Sequence, residues 1–164
     1  MEIQTDDYSK EIAQIITRLK PDWADLIEYK PNWKSEIHYV WIEFKNEIGE
    51  SVSLATHGGE CTVYWDECHT HLDHLQNSEA DLMEASSFID QIKSNKIILE
   101  QHYKGGKYSG GSFHKTEPDK IGRPGYKAVF KTWDHTRFEE IDRTSEKEPT
   151  IWETIKMNWK NRPK

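Results

Sequence analysis

Apolar residues along the chain change period several times, and each change marks an element. Ile12, Ile15, Ile16 and Leu19 recur at i, i+3, i+4 and i+7, the spacing of one helix face. Thr5 or Asp6 can cap that helix. Pro21 ends it, because the residue before a proline is pushed out of the helical region. From 37 to 45 the period falls to two. Val40, Ile42 and Phe44 share one face, while Ile37, Tyr39 and Trp41 share the other. Apolar residues on both faces predict a covered central strand or an aromatic outer face. A turn at 46–50 with Gly49, a return strand at 51–56, a turn at Gly58-Gly59 and a third strand at 60–66 complete a predicted meander.

The helical period returns at 79–94 with Leu82, Ala85, Phe88, Ile89 and Ile92. Ser78 and Asp81 have capping-box spacing, and Asn95 suits a left-handed stop. The run 97–103 is β-rich. Lys104-Gly105-Gly106-Lys107 reads as a tight turn, because both glycines tolerate positive φ, and 108–114 is the partner strand. Two prolines and two glycines in 115–125 predict a loop, and 126–133 returns to strand character. After a polar break at 145–149, Ile151, Trp152, Ile155 and Trp159 line one side of a last helix over 145–164. That helix either docks loosely on the body or forms a basic tail. With no internal repeat and no long linker, residues 1–164 read as a single α+β domain. Its antiparallel sheet, a meander plus a hairpin, is flanked by two or three helices.

Composition narrows this picture. A chain of 164 residues buries roughly 70% of its unfolded surface, so a core forms without staples. The apolar fraction is only 35%, but seven tryptophans supply large buried areas. No apolar stretch is long enough for a membrane helix. The N-terminus lacks the basic start and apolar run of a secretory signal. Together with only two cysteines, Cys61 and Cys68, this leads to the expectation of a cytoplasmic protein. Charge is uneven: residues 1–142 carry 16 basic against 26 acidic residues, a net −10, while 143–164 carry +3. An acidic body argues against nucleic acid as ligand and permits steering toward a basic protein partner.

Candidate chemistry concentrates in 66–74. On a strand continuing past Asp66, His69, His71 and Asp73 share a face. They could ligate a divalent metal, with His38, His57 or His102 as a further ligand. The competing reading is a polar edge where the imidazoles meet hydrogen-bond partners. There is no HExxH, no CxxC pair and no phosphate-binding glycine motif. Adjacent Cys68 and His69 point to opposite faces, so no catalytic residue is assigned.

The stretch 58–73, with Trp65 four residues before His69-x-His71-Leu72-Asp73, resembles a segment of small bacterial proteins, many of them immunity proteins of polymorphic toxin systems. The hairpin from Glu100 through Gly106 to Ser112, and Trp133 after it, is similar to their second half. The resemblance implies a cytosolic, acidic α+β protein that inhibits a toxin by binding it, and it transfers no catalytic residue. The leading expectation is therefore a non-catalytic domain that neutralises a basic toxin such as a nuclease. Its expected anchors are Trp41, Trp65 and Trp133, with Asp66 and Glu67 beside them. The alternatives are a small metal-dependent hydrolase centred on the His-x-His segment and a purely structural or self-associating module. No cofactor other than that divalent metal is expected.

Overall fold

A computed structural model describes residues 4–32, 35–72, 77–118 and 123–147. The predicted C-terminal helix, and Asp73 and His74, lie outside the described residues. Helix α1 spans Asp7–Leu19. The Asp6 carboxylate accepts from the Ser9 N–H at 2.8 Å and so caps it. Pro21 stops α1 but then serves as the first residue of a short turn of helix, α2, Pro21–Ala24, where its missing N–H costs nothing. Strands β1 (Glu28–Pro31), β2 (His38–Lys45), β3 (Ser51–Ala55), β4 (Cys61–Trp65) and β5 (Cys68–Leu72) form a five-stranded antiparallel sheet in that order. Helix α3 spans Ser78–Lys93. Strands β6 (Ile98–Lys104), β7 (Lys107–His114), β8 (Lys127–Lys131) and β9 (Phe138–Asp142) form a second antiparallel sheet, ordered β7-β6-β8-β9.

Most predicted elements are present, so the chain is an α+β domain of three helices and two antiparallel sheets among the described residues. Three readings change. The third strand, expected over 60–66, ends at Trp65, and in place of the continuation past Asp66 that would align His69 with His71 the chain turns back through Asp66-Glu67. Asp66 takes φ 56° there, a conformation Asp tolerates better than most residues. Asn77, not Ser78, caps α3, accepting from Glu79 and Ala80 N–H at 3.0 and 3.1 Å. Asp81 instead accepts from the Tyr8 hydroxyl at 3.1 Å, which ties α3 to α1. Two strands carry no period-two signal. β1 ends in proline and pairs with β2 at an edge, and β9 has three acidic residues in five.

The main core lies on the inner face of the five-stranded sheet. Val40, Ile42, Val52, Leu54, Val63 and Trp65 meet Ile12 and Ile16 of α1 and Leu82, Ile89 and Ile92 of α3, all fully buried. Each such side chain contributes about 1.5–3 kcal/mol relative to exposure. Ile97, Leu99 and Trp133 bring the second sheet into the same core. The other face of that sheet holds a small separate cluster of Ile98, Ala128 and Phe130. The β6–β7 turn has φ 55° and 76° at Gly105 and Gly106, as a two-residue hairpin requires. Opposite Gln101, Gly111 has no room for a side chain. A Cβ there would sit 2.4 Å from Cys68 Sγ and 2.4 Å from the Glu100 carbonyl oxygen.

Candidate functional site

Two surfaces draw side chains of functional character together. The first is a cleft of about 410 Å³ between the second sheet and the turns of the first. Asn46 shapes the turn that brings Glu50 into it. Its side-chain oxygen accepts from Ile48 and Glu50 N–H, and its amide donates to the Trp133 carbonyl at 2.5 Å. This pins the β2–β3 turn and aims Glu50 at β8. The Glu50 carboxylate accepts from Lys131 Nζ at 2.8 and 2.9 Å, from Trp65 Nε1 at 2.9 Å and from His135 Nε2 at 2.8 Å. Lys131 also donates to Asp66 at 3.0 Å. Its side chain is only 7% exposed, against 14% for Glu50 and 40% for Asp66.

Burial pushes the Glu50 carboxyl up, but the Lys131 ammonium and the N–H groups of Trp65 and His135 outweigh that and hold it below the usual carboxylate range. Beside it, burial and then the charges of Asp66 and Glu67 push the Tyr103 hydroxyl up. Two of the cleft's non-glycine residues, Asp66 and His135, have positive φ. The loop of His135 is closed by the Thr132 N–H, which donates to the Arg137 carbonyl at 3.0 Å, by the Arg137 N–H, which donates to the Thr132 hydroxyl at 3.1 Å, and by Asp134, which accepts from the Thr136 N–H at 2.9 Å.

The second surface is the outer face of the five-stranded sheet. Lys30 Nζ lies 3.9 Å from the centroid of the Trp41 ring. Trp41 and Tyr64 stand 5.8 Å apart, Tyr64 and His69 5.4 Å, and His69 and His71 4.9 Å. Tyr39 meets His57 at 5.9 Å. Register explains the row, since Trp41 pairs with Ala55, Tyr64 with Ser53 and His69 with Tyr64. Small residues on β3 let the rings of neighbouring strands close over it. Trp41 and Tyr64 are half-buried, while His69 and His71 are exposed. Trp41 Nε1 is buried with no hydrogen-bond partner among the described residues.

The expected anchors therefore divide. Trp41 stands on the outer face. Trp65 and Trp133 are corrected to core residues: Trp65 is wholly buried and the two rings meet edge-on at 6.1 Å. The signal for Trp65 was present in the alternation of Cys61, Val63 and Trp65, which puts it on the apolar face. Asp66 is engaged with Lys131, and Glu67 is exposed. His69 and His71 do share a face. His71 Nδ1 contacts the Glu60 carboxylate and lies 3.2 Å from Thr62 Oγ1. Asp73 is outside the described residues. His38 turns to the Glu36 carbonyl, and His102 belongs to the other sheet. Among the described residues no group of three or more His, Cys, Asp or Glu side chains could hold a metal ion.

Both cysteines are buried free thiols. Burial pushes Cys61 up to about 12 and raises Cys68, which suits packing rather than nucleophilic attack. Sequence reasoning overlooked Glu50, Gln101 and Lys131. Lys131 and Gln101 each carried a signal: a polar residue on the face whose i−2 neighbour, Val129 or Leu99, is apolar. Among the described residues no helix is long and apolar enough to cross a membrane. No protein-family model, curated protein or solved structure matches the chain.

Proposed function

We propose that this chain is a non-catalytic, cytosolic binding domain that captures a basic protein, as a bacterial immunity protein neutralises a cationic toxin such as a nuclease. One observation carries the reading: the row of rings on the outer sheet face, Trp41 and Tyr64 with Tyr39, His69 and His71, on which no described element packs. Rings held rigidly on strands lose little entropy on binding and make strong anchors. The charge of −10 over residues 1–142 steers a cationic partner toward the domain.

The test is a binding titration against basic toxin domains, beginning with the product of any toxin gene adjacent to this one. Trp41→Ala and Tyr64→Ala should each weaken binding by roughly tenfold or more, with melting little changed. The association rate should fall steeply with salt. The absence of any tight basic partner, or full affinity in both variants, overturns the reading.

A metal-dependent hydrolase centred on His69, His71 and Asp73 keeps one observation in its favour. The Glu60 contact at His71 Nδ1 leaves Nε2 as the ligating atom, the arrangement metal-bound imidazoles use. Metal analysis of untagged protein separates the readings, since a resident ion would copurify near one equivalent.

A further inference from the structure

The cleft under Glu50 contains a donor that the described protein does not use. Gln101 lies mid-strand in β6, opposite Gly111 and Val129, and is 1% exposed. It lines the cleft, yet its Nε2 has no hydrogen-bond partner among the described residues. Buried amides without partners are rare and costly. The same face carries Leu99 two residues earlier, and an aliphatic side chain would fill the position without that cost.

The surroundings restrict what could supply the partner. Every charge in the lining is already matched. Lys131 meets Glu50 and Asp66, Lys127 meets Glu140 at 2.7 Å, and His135 meets Glu50. An anion entering here would face Asp66 and Glu140, and a cation would face two lysines. An uncharged ligand gives up least. Val129 offers apolar surface, and Tyr103 and Phe138 offer rings, Phe138 being 54% exposed. Rings of this kind favour a flat ligand. A carboxamide presents an acceptor and a donor side by side. Its complement is a planar edge with the same pair, as Gln shows toward the edge of adenine. A volume near 400 Å³ falls within the range of small-ligand sites.

We propose that this cleft binds a small, uncharged, planar ligand whose adjacent acceptor and donor pair with the Gln101 carboxamide between Tyr103 and Phe138. The site shares no residue with the ring-lined outer face and stands independently of the partner reading above.

The full-length protein should be titrated with adenine, with nicotinamide and with benzoate, while the Gln101 side-chain NH2 resonances are followed by NMR. Adenine, nicotinamide or both should bind saturably and shift those resonances. The tighter of the two identifies the source of the edge as a heterocyclic base or a carboxamide. Benzoate, charged and lacking the donor, should not bind. Gln101→Leu should weaken binding at least about tenfold, the loss of one good hydrogen bond, and should melt no lower than wild type, because it removes an unpartnered amide. Trp41→Ala should leave the titration unchanged. Three results overturn the proposal. One is the absence of saturation by both adenine and nicotinamide below about 10 mM, weaker than ordinary ligand efficiency gives. The others are undiminished binding by Gln101→Leu and a lower melting temperature of that variant.

Discussion

Replacing Glu50 with glutamine removes one charge and keeps the shape. In the folded protein that carboxylate accepts from Lys131, Trp65 and His135. The substituted amide has one oxygen for these donors and turns an NH2 toward one of them. The only carboxylate left to the Lys131 ammonium is Asp66, 3.0 Å away and far more exposed than Glu50. Breaking a buried pair by removing one partner costs about 3–5 kcal/mol. The surviving Asp66 contact places Glu50→Gln near the lower end, about 3 kcal/mol. For a chain of this size that lowers the melting temperature by about 6–12 °C, at roughly 2–4 °C per kcal/mol.

Urea titration followed by tryptophan fluorescence reads the change directly, because Trp65 and Trp133 are buried. The double variant Glu50→Gln with Lys131→Met should recover most of the loss, since the uncompensated ammonium has gone and methionine fills its volume. A cost below about 1 kcal/mol for Glu50→Gln would refute the view that this buried pair is worth more than a surface one. So would a double variant less stable than the single one.

The depressed Glu50 carboxyl also predicts a pH dependence. A group whose folded pKa lies below its unfolded value adds stability that is complete above the unfolded pKa, about 4.3, and is lost as pH falls through the folded value. Stability should therefore drop on acidification below about pH 4.3, and by less in Glu50→Gln; equal slopes for the two proteins would count against it. Gly111→Ala should cost about 1–3 kcal/mol or more by chemical denaturation, because its methyl would collide with Cys68 Sγ and the Glu100 carbonyl; a neutral result would mean that β7 moves aside freely. Asn77→Ala should destabilise by about 1 kcal/mol through loss of the α3 cap, measured in the same assay. Neither Cys61 nor Cys68 should react with Ellman's reagent at pH 8 in the native state, whereas both should do so in denaturant; rapid labelling of the native protein would contradict their burial.

Local pattern alone determined a good part of this molecule. The i, i+3, i+4 spacing of Ile12, Ile15 and Ile16 places α1, and the alternation of Val40, Ile42 and Phe44 gives β2 its inner face. Gly105-Gly106 sets the β6–β7 turn, and Asn95, at φ 59°, ends α3. In each case the deciding interaction spans a few residues, so the information is contiguous along the chain. That His69 and His71 share a face follows from the same short-range rule.

Only the tertiary structure decided the rest. β1 and β9 have little β preference of their own and form because a neighbouring strand supplies their hydrogen bonds. Division into two sheets, rather than one, is a property of pairing between distant segments. The cleft joins Glu50 and Asp66 from two turns with Gln101 and Lys131 from two strands, and Glu50 and Lys131 stand 81 residues apart. A charged residue on an apolar strand face announces that something must neutralise it, because an unpaired buried charge is too costly to persist. Which carboxylate answers depends on where the β2–β3 turn comes to rest, and that is set by the packing of the whole domain.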